Sequence, residues 1–359
     1  MDNAVEETTD LPSVGHWFHT LPTVYIIFIA LCILLWFGIA AMTCILVRNV
    51  HFHVPNETVQ SDLYFIIFIP LVVSTCCVFG NILVRASALL YAVALTYLLI
   101  CLHMTVFLIV RLFGNRRGLA KWLIDNNKVI VFNTKPYCCC CNCLPTMKPT
   151  PTRVRRISYL VKQSPIVRIC IQLVLMVMAA EEMDADMTIS QVLNGVGVIS
   201  TLLAVYVSHI LVTTTLERLE PFNMFTIFKC VNISQMLFTL QKFFLDLLAK
   251  NGAMGGLSMA PPTTVSRFWH NTAMTVWLTI VAHVMVKNIR PGKSKFFCDK
   301  PFSENDIPLT DNFVDCAEVR STEPCTWNPR PTPSEDAPSD DAEVITPGAE
   351  KKQLSSPSG

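Results

Sequence analysis

Two stretches concentrate the side chains that could do chemistry. The first, Tyr137 to Pro145, reads Tyr-Cys-Cys-Cys-Cys-Asn-Cys-Leu-Pro and places Cys138, Cys139, Cys140, Cys141 and Cys143 within six positions. Metal sites usually separate their thiolates, because adjacent side chains cannot all converge on one ion. Cys138 and Cys141 have a Cys-x-x-Cys spacing, but no second pair or histidine follows close by. Disulfides need an oxidising compartment, and the basic residues flanking the run argue for the cytosol. Thiols beside a membrane are substrates for S-acylation, which would pin the loop to the inner leaflet. Acylation of these five cysteines therefore ranks first and metal binding second. An inert loop is the plain alternative for any single cysteine.

The second stretch is an apolar segment, Phe222 to Ala249, interrupted by Lys229, Asn232, Gln235, Gln241, Lys242 and Asp246. At about 100° per residue, Asn232, Gln235, Thr239, Lys242 and Asp246 fall on one stripe roughly a quarter-turn wide. Lys242 and Asp246 are spaced i, i+4 and can pair. A charge near the centre of a bilayer costs at least ~2.5 kcal/mol, so such residues face a bundle interior or a wet cavity. One reading is a substrate path in which Lys229 or Lys242 attracts an anion. The other is structural: interhelical hydrogen bonds, with Lys229 snorkelling to the interface. Arg85 invites the same choice, between an anion-attracting outer vestibule and an interfacial anchor. The isolated His103, His209, His270 and His283 read as packing residues.

The elements that must position these groups are membrane helices. The chain has 359 residues, 52% hydrophobic and only 15% charged, which is membrane-protein composition. A net charge of +1 excludes an overall basic surface for nucleic acid. Apolar spans are predicted at about Val24–Val47, Leu63–Phe79 (with Pro70 as an interior kink), Ala86–Val110, Ile166–Ala180, Ile189–Val212, Phe222–Ala249 and Phe268–Val286. The fold class expected is an all-α bundle of seven transmembrane helices. Residues 1–22 form an extracellular tail, 23–290 the helical domain with a basic cytosolic loop at 111–165, and 291–359 a disordered cytoplasmic tail rich in Pro, Ser and acidic residues. The acidic start of the chain argues against a cleavable signal peptide.

The positive-inside rule orients the bundle. The loop at 111–165 and the stretch carrying Lys287, Arg290, Lys293 and Lys295 are the two strongly basic flanks. Seven crossings put both in the cytosol, with the N-terminus outside and the cluster Glu181, Glu182, Asp184 and Asp186 also outside. Six crossings would divide the basic flanks between the two sides. Two glycosylation sequons, at Asn56 and Asn232, then fall in a cytosolic loop and inside a span, and neither is expected to be used.

No phosphate-binding glycine loop, His-Glu-x-x-His or Gly-x-Ser-x-Gly elbow is present, so no enzyme class is indicated and no cofactor is implied. A heptahelical receptor is disfavoured by Arg111-Leu-Phe at the end of the third span and by the lack of Asn-Pro-x-x-Tyr in the seventh. Several motifs do point one way. The cysteine run after Asn133-Thr-Lys-Pro136, Ile69-Pro-Leu-Val-Val-Ser-Thr, Phe79-Gly80 with Arg85, Leu90-Tyr-Ala-Val-Ala-Leu-Thr-Tyr97 and Pro221-Phe-Asn-Met-Phe together resemble the alpha subunit family of the organic solute transporter. The resemblance covers roughly Val24 to Val286. It implies a facilitative plasma-membrane carrier of amphipathic organic solutes, such as steroid conjugates and bile-acid-like anions. It also implies a small single-span beta subunit as partner. A homo-oligomer is a separate arrangement left open. A non-transporting seven-helix regulator of membrane trafficking or signalling is the competing function.

Overall fold

A computed structural model describes residues 14–131, 146–180, 187–255 and 261–298. Helices α1 (Val14–Thr20), α2 (Thr23–His53), α3 (Glu57–Ile67), α4 (Ile69–Ile82), α5 (Ser87–Leu112) and α6 (Arg116–Asp125) lead to a two-stranded ladder. The ladder pairs β1 (Ile130–Val131) antiparallel with β2 (Thr146–Met147). Helices α7 (Pro151–Ala180), α8 (Met187–Leu219), α9 (Met224–Lys250) and α10 (Pro262–Asn288) complete the bundle.

Local chemistry sets the boundaries. Asn56 caps α3 by accepting hydrogen bonds from the Thr58 and Val59 backbone N–H groups, each at 3.1 Å. That capping role also occupies the side chain of the first sequon. The expected kinked span from Leu63 lies in one helical stretch, Glu57–Ile82, interrupted at Phe68, where α3 ends and α4 begins with Pro70 in its first turn. Proline lacks an N–H and its ring crowds the carbonyl four residues back, whereas the first turn of a helix needs neither. The Phe65 carbonyl at the break accepts the Tyr97 hydroxyl at 2.8 Å and the Cys101 thiol at 3.2 Å, both from α5.

Two stretches read as loops are largely helical. The connection at 48–62 holds the end of α2 and the start of α3, and the basic loop at 111–165 holds α6 and the first half of α7. Residues read as tails also pack. Trp17 of α1 is buried and donates to the Asn81 carbonyl at 3.3 Å. Beyond α10, Phe296 and Phe297 are buried, Ser294 donates to the Phe222 carbonyl at 2.7 Å, and the Cys298 N–H donates to the His53 carbonyl at 2.8 Å.

Helix α5 is the core element, packed on α3, α4, α7, α8 and α9, while α10 packs on α2, α4 and α9. Among the described residues, four helical stretches are long and apolar enough to cross a membrane: Thr23–His53, Glu57–Ile82, Val84–Leu112 and Val192–Phe222. Helices α7, α9 and α10 have 30, 27 and 27 residues and carry more polar side chains. The fold is therefore an α-helical membrane architecture, with the polar residues held in particular helices.

Candidate functional site in the bundle interior

One end of the bundle, where α4 and α9 finish and α5 and α10 begin, gathers the interior charges. On α9, Asn232, Gln235, Thr239 and Lys242 are buried and Asp246 is partly buried. Lys242 pairs with Asp246, and Ser266 of α10 donates to the other carboxylate oxygen at 2.8 Å. Gln235 donates to Thr239 at 3.2 Å, one turn along the same stripe. Lys229 and Arg85 are exposed; Lys229 lies 4.1 Å from the centre of the Phe225 ring. The structure thus brings five of the seven proposed path residues onto one inward face and leaves these two outside it.

Around Lys242 is a shell that sequence reasoning missed. The Tyr91 ring centre on α5 lies 5.6 Å from the Lys242 ammonium. Tyr91 stacks on Phe238 at 4.9 Å, and Phe238 meets His270 of α10 edge-on at 5.0 Å. His270 is fully buried, and neither ring nitrogen has a hydrogen-bond partner among the described residues. The Tyr91 hydroxyl faces the guanidinium of Arg168 on α7. Arg168 is 2% exposed, rests on Gly197 of α8 where no Cβ would fit, and donates to the Asn194 carbonyl at 3.5 Å. Arg267 of α10 completes the group, within electrostatic reach of both Asp246 and Tyr91.

Charge bookkeeping is uneven. Lys242 and Arg267 share one carboxylate, Asp246, while Arg168, across Tyr91, has no carboxylate partner among the described residues. The signal for Arg168 was present in the sequence, since it is a lone charge inside the predicted fourth span. Arg267 sits one residue before the predicted seventh span and reads there as a boundary.

Arg267 also lines a pocket of about 10 Å³, room for one water, with Trp17, Gly80, Asn81 and Ser87. Beside it, Asn271 donates to the Asn81 side-chain oxygen at 3.0 Å and Asn81 donates to Thr272 at 3.2 Å, tying α4 to α10. The five clustered cysteines lie outside the described residues; the β1–β2 ladder closes the segment that contains them.

Helix α6 and the start of α7 present a separate basic face. Arg155 donates to the Tyr159 hydroxyl at 3.4 Å, and Arg116 lies 5.9 Å from the Tyr159 ring centre. These guanidinium groups, led by the hydrogen bond from Arg155, hold the exposed Tyr159 phenol below its usual range.

Comparison with known proteins adds a lineage to this geometry. The family profile described as "Organic solute transporter Ostalpha" matches residues 26–288. Organic solute transporter alpha-like protein 1 of Caenorhabditis elegans is 28% identical over 71% of this chain and 66% of its own length. The alpha-like protein 2 of the same organism is 24% identical over 81% of this chain and 86% of its own length. The alpha-like protein 3 is 31% identical over 54% of this chain and 56% of its own length. No solved structure matches the chain.

Proposed function

The chain belongs to the organic solute transporter Ostalpha family, and we propose that it is a facilitative carrier of amphipathic organic solutes across the plasma membrane. Steroid conjugates and bile-acid-like anions are the solute class. One observation carries the reading: in an otherwise apolar bundle, α9 turns Asn232, Gln235, Thr239 and Lys242 inward, beside Tyr91 of α5. A solute with an apolar body and an anionic head suits such a surface, since the rings of Tyr91 and Phe238 meet the body and Lys242 meets the head. The chain shows no nucleotide-binding motif, in keeping with downhill movement rather than a pump.

In this reading α2, the α3–α4 rod, α5, α7, α8, α9 and α10 each cross the bilayer. The N-terminus is outside, the cysteine segment and the C-terminus are cytosolic, and a single-span beta subunit joins the bundle. Cys138, Cys139, Cys140, Cys141 and Cys143 are the acylation sites that hold the segment at the inner leaflet. The test is uptake and efflux of a labelled steroid sulfate in cells, with and without a co-expressed beta subunit. Flux in both directions that follows the gradient supports the proposal. Lys242→Gln should lower initial flux per surface molecule, measured against surface biotinylation. Absence of flux at normal surface abundance, with and without the beta subunit, would overturn it.

A further inference from the structure

We infer that Arg168, Arg267 and Lys242 form an anion-binding station in which Asp246 occupies the place of the solute's anionic head until the solute displaces it. The inference rests on the carrier reading for its setting but on different residues and a different observation. A guanidinium 2% exposed, with an unbonded Nε and no carboxylate partner among the described residues, is an expensive thing to keep. One Nη donates to the Asn194 carbonyl at 3.5 Å, and the guanidinium faces Tyr91. Gly197 leaves the space the guanidinium fills, so α7 and α8 are shaped to hold it there.

Arg168 is also not alone. Tyr91 connects it to Lys242, through the hydroxyl on one side and the ring face on the other. Lys242 and Arg267 both draw on Asp246, which is partly exposed and anchored by Ser266. Two cations sharing one carboxylate, with Arg168 on the far side of Tyr91, leave an excess positive field in a low-dielectric interior, where a second anion is strongly favoured. Arginine's planar fork suits the paired oxygens of a carboxylate, sulfonate or sulfate. Arg267 is the member of the group that also lines the small pocket beside Trp17, Gly80 and Asn81. A solute head that reaches Arg267 takes Lys242 from Asp246 and then comes within reach of Arg168 past Tyr91. Asp246 re-pairs with Lys242 when the head leaves, so that ammonium is neutralised between solutes.

The experiment compares a steroid glucuronide with the glucoside of the same steroid, which differ at one carboxylate. Binding is read as the ligand-induced thermal shift of the purified full-length protein, and transport as flux in reconstituted vesicles. Arg168→Gln and Arg267→Gln should each weaken glucuronide binding about tenfold or more and leave glucoside binding unchanged. Arg168→Lys should retain part of the affinity, since the charge stays and the fork is lost. Asp246→Asn removes the competing anion and should tighten glucuronide binding severalfold while slowing its release. Monodisperse elution screens each variant for folding, and Arg267→Gln with Arg168→Lys carry the test if Arg168→Gln does not fold. Equal effects on both conjugates, or no effect on either, would overturn the station while leaving wild-type flux, and so the carrier reading, intact. Selective glucuronide binding by a wild-type protein that moves neither conjugate would uphold the station and remove the carrier. Binding of neither conjugate by wild type overturns the station outright.

Discussion

The hydrogen-bonded joint between α4 and α10 gives a sharp test of the packing beside the site. Asn271 donates to the Asn81 side-chain oxygen at 3.0 Å, Asn81 donates to Thr272 at 3.2 Å, and both asparagines are buried. Gly80 sits next to them, and an added Cβ would lie 2.9 Å from the Asn271 amide nitrogen. That nitrogen must retreat by a few tenths of an ångström, which its bond to Asn81 resists. Interhelical hydrogen bonds in membrane proteins average ~0.6 kcal/mol, up to ~1.7. Asn81→Ala removes two and should cost about 1–3 kcal/mol; Asn271→Ala removes one and leaves a buried acceptor unmet, for about 1–2 kcal/mol. Gly80→Ala strains the same bond and should cost about 1 kcal/mol. The decisive variant is the double: with Asn271→Ala in place the methyl has nothing to hit, so Gly80→Ala should become nearly free. Thermal unfolding of the four purified proteins measures the cycle. Additive losses would mean that Gly80 acts elsewhere, and the account of the joint would be wrong.

Three further outcomes are expected. Arg111 pairs with Asp62 at 3.3 Å, where the carboxylate side chain is 4% exposed and the guanidinium 31%. Arg111→Ala therefore strands a buried carboxylate and should cost about 3 kcal/mol, whereas Asp62→Ala should cost about 1, because Arg111 keeps the Phe107 ring and water; a thermal melt showing the reverse order would contradict the pairing. Ending the chain after Asn288 removes the buried Phe296 and Phe297 and should destabilise by about 3 kcal/mol or more, while ending it after Cys298 retains them; equal melting temperatures would count against this. Changing all five of Cys138, Cys139, Cys140, Cys141 and Cys143 to Ser should reduce acyl-exchange labelling to background, and stoichiometric zinc lost from the same variant would point to metal instead.

The legible part of the fold was whatever periodicity and hydropathy express. The apolar runs gave α2, α5 and α8, and the 100° stripe on α9 was visible because five polar residues repeat at helical spacing. Helix α6 and the first half of α7 were hidden, since Arg116, Arg117, Lys121, Arg153, Arg155 and Arg156 depress hydropathy without disfavouring helix. Pro70 marks the interruption between α3 and α4 in the sequence itself, whereas the Tyr97 hydroxyl bonded to the Phe65 carbonyl is a contact from another helix that no local pattern shows. Lys242 and Asp246 were found through their i, i+4 spacing. Arg168, Tyr91 and Arg267 belong to three other helices, and only the packing of α5 against α7 and α9 and of α10 against α9 relates them.

The three helices that fall short on hydropathy share a pattern that argues about their solvent. On α7, Ser164, Arg168 and Gln172 recur every fourth residue and are buried, while Ile166, Ile169, Leu173 and Val177 are exposed. On α9 the buried stripe is opposed by exposed Phe243, Phe244, Leu247 and Leu248. On α10, His270, Asn271 and Thr275 face in, and Val276, Trp277 and Ile280 face out. Water would drive each helix to rotate the other way, since leaving a large apolar side chain exposed forgoes about 1.5–3 kcal/mol. Three or four such residues per helix amount to roughly 5–10 kcal/mol in the wrong direction. Hydrocarbon reverses the sign: the apolar face costs nothing there, and amides and charges on it would cost free energy each. An average over the whole helix cancels the two faces, which is why hydropathy alone passes over the helices that carry the charges. Such inside-out faces are what helices packed in hydrocarbon require.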